Sequence, residues 1–200
     1  MMRFMLTDVN VAEYFLAKDK DRWLFNKDLI HKNDRVFYKG AARLDKYLHL
    51  AQNIYIEKTG SKLFAEDLYA YDNGAVAPTV HENYDFLLSR TEIPDIAPEI
   101  RNFLDKIFKI FGNASLDELI ELSHEDQAWT DNQNHGKANQ RMNSLSYTFE
   151  YQEQYRDILK VIDRLILEGF ANISFKRRCL QYLPTLLTLH LLAGSHRSFI

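Results

Sequence analysis

The clearest periodicity in the chain is Ile100, Phe103, Leu104, Ile107, Phe108 and Phe111, whose three- and four-residue steps place six apolar side chains on one stripe. The spacing predicts an amphipathic helix. Pro98 suits its first turn, and Gly112-Asn113 suits its end because both residues tolerate the left-handed backbone that closes helices. Ser115 and Glu118 follow with capping-box spacing and predict a shorter helix to about Ser123. Earlier, Asp8 is placed to cap a helix bearing Val11, Tyr14 and Phe15. Leu44, Tyr47, Leu48, Ala51, Ile54 and Tyr55 mark a longer helix that ends near Thr59-Gly60 and is expected to pack on the first. Between these two, Asp19 to Lys39 mixes charge with Trp23, Phe25, Ile30, Val36 and Phe37, and reads as a connection that includes a short hairpin.

A change of period marks Leu63 to Tyr71, where Leu68 and Ala70 alternate with Tyr69 and Tyr71 just before the turn dipeptide Asn73-Gly74. This predicts a strand. Pro78 then opens a helix containing Val80, Tyr84, Leu87 and Leu88, and the prolines at 94 and 98 separate it from the next one. Thr130 to Ser144 is polar and without period, as expected of an exposed loop. From Tyr147 a helical face returns with Tyr151, Tyr155, Ile158, Leu159, Ile162, Leu165 and Ile166, and Gly169 is placed to stop it. The expected fold is mainly α: a compact helical domain over residues 1–146 with a short strand or hairpin, and a C-terminal helical extension over 147–200.

Composition changes this picture little. Two hundred residues, 46% of them apolar, suffice for one sizeable core, and 25 basic against 28 acidic residues give a net charge of −3 with no general field to hold a polyanion. The segment from Ala171 to Ile200 departs from this balance: it has no acid and carries Lys176, Arg177, Arg178 and Arg197. A DNA-binding autoregulator using this basic C-terminus is therefore one alternative, although three adjacent cations scatter around a helix and form no groove-reading face, so nucleic acid is not an expected partner. The lone Cys179 leaves no internal disulfide and no cysteine cluster for zinc, with cytoplasm as the default location. Met1 to Leu6 is too short for a signal-peptide core, and the longest apolar stretch, Leu183 to Ala193, is interrupted by Pro184, Thr185, Thr188 and His190, so no membrane span is expected.

Candidate chemistry is sparse. A glycine-rich phosphate loop, a Gly-x-Ser-x-Gly elbow and a His-Glu-x-x-His pair are all missing from the sequence. His124, Glu125 and Asp126, with Asp131 and His135 nearby, contain ligand and proton-transfer groups, yet adjacent helical residues point about 100° apart and do not readily share an ion. No metal, cofactor or catalytic residue is assigned, and an enzyme built on His124 and Glu125 stands as the competing class. As structural residues, His124 is expected to meet helix-end carbonyls or a buried partner, and Trp129 to cover the core edge. The Asn73-Gly74 turn ahead of Pro78 reads first as a device for reversing the chain, and second as a mount for partner contacts by exposed Tyr69, Tyr71 and Asp72, with Trp129 as a further anchor.

In order along the chain, Arg43-Leu-Asp-Lys46-Tyr-Leu-His-Leu-Ala-Gln52, Thr59-Gly-Ser-Lys-Leu63-Phe64, Glu66-Asp67 and Tyr69-Ala-Tyr-Asp-Asn-Gly74-Ala-Val-Ala-Pro78 resemble the signature run of the Panacea, or SocA-like, antitoxin domain family. Leu122-Ser-His124-Glu125-Asp-Gln-Ala-Trp129 resembles its second motif, and with Val11 to Leu16 as the opening helix the likeness covers about residues 9–129. Two positions depart from the family pattern: Ala75 stands where proline is common, and Tyr71 where tryptophan is common. The resemblance implies an antitoxin of a two-gene toxin-antitoxin system, binding a protein toxin encoded beside it. One branch of that family delivers its toxin to a protease as an adaptor, and the fold also occurs in phage-associated proteins.

Overall fold

A computed structural model describes residues 6–32, 34–90, 92–133 and 140–142, and the predicted helix from Tyr147, Cys179 and the basic segment after Ala171 lie outside the described residues. The fold is mainly α with two small antiparallel sheets.

Helix α1 (Asp8–Lys18) is closed at its start by Thr7 and not by Asp8. The Thr7 hydroxyl accepts from the Asn10 amide at 3.1 Å while the Asn10 side chain accepts from the Thr7 amide at 3.2 Å, so a reciprocal box forms one residue earlier than expected. Asp8 becomes the first helical residue. The hairpin expected between Asp19 and Lys39 is β1 (Leu29–Lys32) paired with β2 (Arg35–Tyr38). Ile30 and Phe37 pack on Ala42, Leu116 and Ile120, whereas Leu29 and Val36 on the other face are exposed.

Helix α2 (Lys39–Thr59) is the axis of the molecule, touched by α1, β2, the hairpin strand β4 (Gly74–Val76), α3 (Pro78–Glu82), α5 (Pro98–Phe111) and α6 (Leu116–His124). It ends as the sequence requires, with Gly60 left-handed at φ 70°. Tyr47 sits at the core centre with Phe15 and Phe25 edge-on at 5.3 Å and Phe111 at 6.1 Å. Edge-to-face packing of this kind suits the ring quadrupoles and adds to the area each ring buries.

Three further expectations are corrected. The helix opening at Pro78 is two short ones, α3 and α4 (Tyr84–Leu88), because the Asn83 side chain donates to the Thr79 carbonyl at 2.7 Å and competes with the backbone ladder. Gly112 after α5 has φ −58° and not a left-handed value, so the chain leaves that helix through a right-handed turn. Thr130 to Ser144 is not simply a loop: α7 (Gln127–Asn132) reaches past Thr130, and β5 (Gln140–Met142) pairs with β3 (Leu68–Tyr71) in a sheet of order β4-β3-β5. A three-residue strand has too few positions to show a period, and its pairing with β3 is invisible to any local pattern. Among the described residues no helix is long and apolar enough to cross a membrane.

Candidate functional site

The β3–β4 hairpin carries the predicted partner residues, and its geometry follows from one glycine. Asp72 and Asn73 make the turn with negative φ, and Gly74 alone takes the positive value, 97°. A side chain on Gly74 would meet Ser123 Oγ at 2.6 Å and Lys46 Cε at 2.8 Å, so the absent Cβ also lets α2 and α6 approach the hairpin.

Lys46 belongs to a polar strip that, apart from Asn53, lies within the run Arg43 to Gln52. Asp45, Lys46, His49, Gln52 and Asn53 recur at three- and four-residue steps along α2, and all are buried. Asp45, Lys46 and Gln52 hold pieces of backbone from elsewhere, and His49 and Asn53 meet the Asp126 carboxylate. Lys46 Nζ donates to the Ala75 carbonyl at 2.7 Å, and burial pushes its ammonium down to about 8. Asp45 accepts from the Ala77 amide at 3.2 Å and pairs with His81 Nδ1 at 2.7 Å, a hydrogen bond that raises the His81 imidazole above its usual range. Gln52 accepts from the Leu63 amide at 2.8 Å and donates to the Phe64 carbonyl at 3.1 Å. β4 is the edge of its sheet, and the outward polar groups of Ala75 and Ala77 are taken by side chains, which closes that edge to further pairing.

His49 lies at the centre of the strip. Its Nε2 is 2.5 Å from Asp126 Oδ2, and its Nδ1 is 3.1 Å from Ser123 Oγ. The Ala75 amide donates to Ser123 Oγ at 3.1 Å, so the serine hydroxyl is free to donate to Nδ1 while Nε2–H points at the carboxylate. These are the side chains of a hydrolytic triad, but His49 and Ser123 are 0% and Asp126 2% exposed, and the carboxylate sits on Nε2 where the protease arrangement has it on Nδ1. A serine with no access to solvent and an oxygen already held by an amide is placed as a strut. It ties α2, α6, α7 and β4 together.

The residues singled out from sequence fall on both sides of this strut. Tyr69 and Tyr71 alternate with buried Leu68 and Ala70 as expected; with Asp72 they are half-buried and not exposed, because they lean over grooves. The larger groove, about 660 Å³, is lined by Asp8, Glu66, Asp67, Tyr69, Tyr71, Pro78 and Thr79. A smaller one of about 140 Å³ lies where Tyr71, Asp72 and Asn73 meet the β1–β2 hairpin, and Asp72 reaches Arg35 at 3.5 Å. Pro78 starts α3 at its first turn. Trp129 is 7% exposed and its Nε1 donates to the Tyr71 carbonyl at 2.9 Å, so it supports the hairpin from beneath.

His124 ends α6 and, of the two expected surroundings, meets a buried partner and not a carbonyl: it stacks on Trp129 with ring centroids 4.0 Å apart, and its buried Nε2 has no hydrogen-bond partner among the described residues. Burial, then the charges of Lys46 and Lys32, bring its imidazole down to about 4. Glu125 is the exposed cap residue of the same helix, Asp131 is exposed on α7, and His135 lies outside the described residues. Among the described residues no group of three or more histidine, cysteine, aspartate or glutamate side chains is placed to hold a metal ion.

The His124 geometry carries a linkage prediction. Above pH about 6.5 the ring is neutral in both folded and unfolded chains; as pH falls toward 4 the unfolded chain takes the proton first, and stability is lost over that window. An NMR titration of the ring should give a midpoint near 4, and His124→Phe, which keeps the stack, should remove that share of the acid destabilisation. A midpoint near 6.5 would mean the ring is not buried against Trp129.

Fold and site together define a class of protein: a helical scaffold whose central helix fixes a β-hairpin through buried polar side chains and presents its tyrosines beside a groove. Residues 44–130 match the family described as Antitoxin SocA-like, Panacea domain. The match spans the run from the axial helix to Trp129, which contains every member of the polar strip. The chain has no match among curated proteins or solved structures.

Proposed function

We propose that this domain acts as an antitoxin that neutralises a partner toxin by direct contact, with Tyr69, Tyr71 and Asp72 at the contact and Trp129 holding Tyr71 in place. The observation that carries the reading is the SocA-like Panacea match over residues 44–130, whose motif residues are the ones that clamp the hairpin. Clamping lowers the ordering cost of association, and tyrosines offer contact area at little entropic loss. The toxin is the product of a neighbouring gene.

Co-expression of that product should arrest growth, and this protein should restore it. Replacing Tyr69 or Tyr71 by alanine should cost about 2 kcal/mol, roughly thirtyfold in affinity, with the melting temperature little changed. Trp129→Ala should weaken both binding and folding, since it removes a buried indole and a hydrogen bond to Tyr71. A harmless neighbouring product, or one neutralised equally well by a folded Tyr69→Ala/Tyr71→Ala protein, would overturn the pairing or the surface respectively.

A further inference from the structure

The groove beside the tyrosines contains three carboxylates in different situations. Asp67 is compensated, with Lys62 at 2.9 Å and Arg141 at 2.6 Å. Asp8 and Glu66 are not: among the described residues neither meets a lysine, arginine or histidine side chain. Glu66 Oε2 accepts only the Asp8 amide at 2.9 Å, and Asp8 Oδ1 only the amide of Val9 at 2.7 Å. Asp8 is a 2% exposed residue that nonetheless lines the groove, and its Oδ2 has no hydrogen-bond partner among the described residues. Burial, then the charge of Glu66, lifts the Asp8 carboxyl to about 6.

Tyr69, Tyr71 and Pro78 supply the other wall. A partly buried pair of carboxylates beside aromatic faces suits a planar guanidinium, which takes bidentate hydrogen bonds from carboxylates and stacks on rings better than an ammonium does. The volume, about 660 Å³, is in the range that admits such a side chain with its flanking backbone.

We infer that this groove is the specificity pocket of the proposed partner contact and receives an arginine side chain of the partner protein between Asp8, Glu66 and the two tyrosines. The inference rests on the proposed antitoxin reading for the source of the arginine. The pocket chemistry itself needs no toxin and is tested without one.

The experiment is a titration of the isotopically labelled 200-residue chain with an acetyl-Gly-Arg-Gly amide peptide, followed by amide NMR, with the citrulline peptide as neutral isostere. Saturable shifts at Asp8, Glu66, Tyr69 and Tyr71 are expected with arginine, and binding about tenfold or more weaker with citrulline. Asp8→Asn with Glu66→Gln keeps an acceptor for each amide and removes both charges, so it should fold while losing about tenfold or more in affinity for the arginine peptide. Equal binding of citrulline, or an unchanged affinity in the folded double variant, would overturn the pocket. Binding that appears only after Arg177→Ala and Arg178→Ala would make the chain's own basic segment the occupant, overturning the assignment to a partner. A chain that rescues growth without binding the peptide loses this inference alone, and one that binds the peptide but rescues nothing loses the antitoxin reading alone.

Discussion

Gly74→Val is expected to be among the most damaging single substitutions in the chain, costing about 3 to 5 kcal/mol, a large part of the stability of a typical domain. Two effects combine. At φ 97° a β-branched residue meets its own backbone, which alone costs on the order of 1 to 3 kcal/mol. Its Cβ would also sit 2.6 Å from Ser123 Oγ and 2.8 Å from Lys46 Cε, and neither neighbour is free to retreat, since Ser123 holds the Ala75 amide and Lys46 the Ala75 carbonyl. The two effects can be separated with alanine. Gly60 also has positive φ, 70°, but nothing lies within 4 Å of its Cβ position, so Gly60→Ala should cost only about 1 kcal/mol from backbone strain. Urea unfolding of both alanine variants decides the matter. If Gly74→Ala costs no more than Gly60→Ala, the hairpin is not packed against the polar strip as described.

Asp126→Ala is expected to cost a similar amount, about 3 to 5 kcal/mol, for a different reason. Asp126 gathers three donors: His49 Nε2 at 2.5 Å, Asn53 Nδ2 at 3.1 Å and, as the cap of α7, the Ala128 amide at 2.9 Å. Removing the carboxylate strands buried polar groups where water does not reach them, and an unmet donor costs far more than a satisfied one contributes. Asp126→Asn is the discriminating companion. Its amide oxygen still accepts from the Nε2–H of His49, so most of the stability should survive. Chemical denaturation with a parallel readout of the α7 amides by hydrogen exchange checks both. An alanine variant as stable as the parent would mean that this buried cluster does not hold the elements together.

Both variants act on residues whose roles depend on long-range contacts, and the same division separates what was legible in the sequence from what was not. The helices α1, α2, α5 and α6, the hairpin turn before Pro78 and the alternation of Tyr69 and Tyr71 with Leu68 and Ala70 follow from local period and local steric preference, which act between residues a few positions apart. The left-handed Gly60 and Gly74 belong to the same category, because φ is a property of one residue. Helix ends were less secure: Thr7 displaced Asp8 as the cap, and Gly112 kept a right-handed backbone, since several polar residues compete for the same orphan amides and carbonyls. Asp45, Lys46, His49, Gln52, Ser123 and Asp126 stand within the two runs that carry the family resemblance, which assigns them no task. Only the tertiary structure decided that they are buried struts, because polar side chains on a helix read as a solvated face until partners 11 to 77 positions away in sequence are brought to them. The same folding step leaves Asp8 and Glu66, 58 residues apart in sequence, as two carboxylates sharing one groove with no cation between them among the described residues.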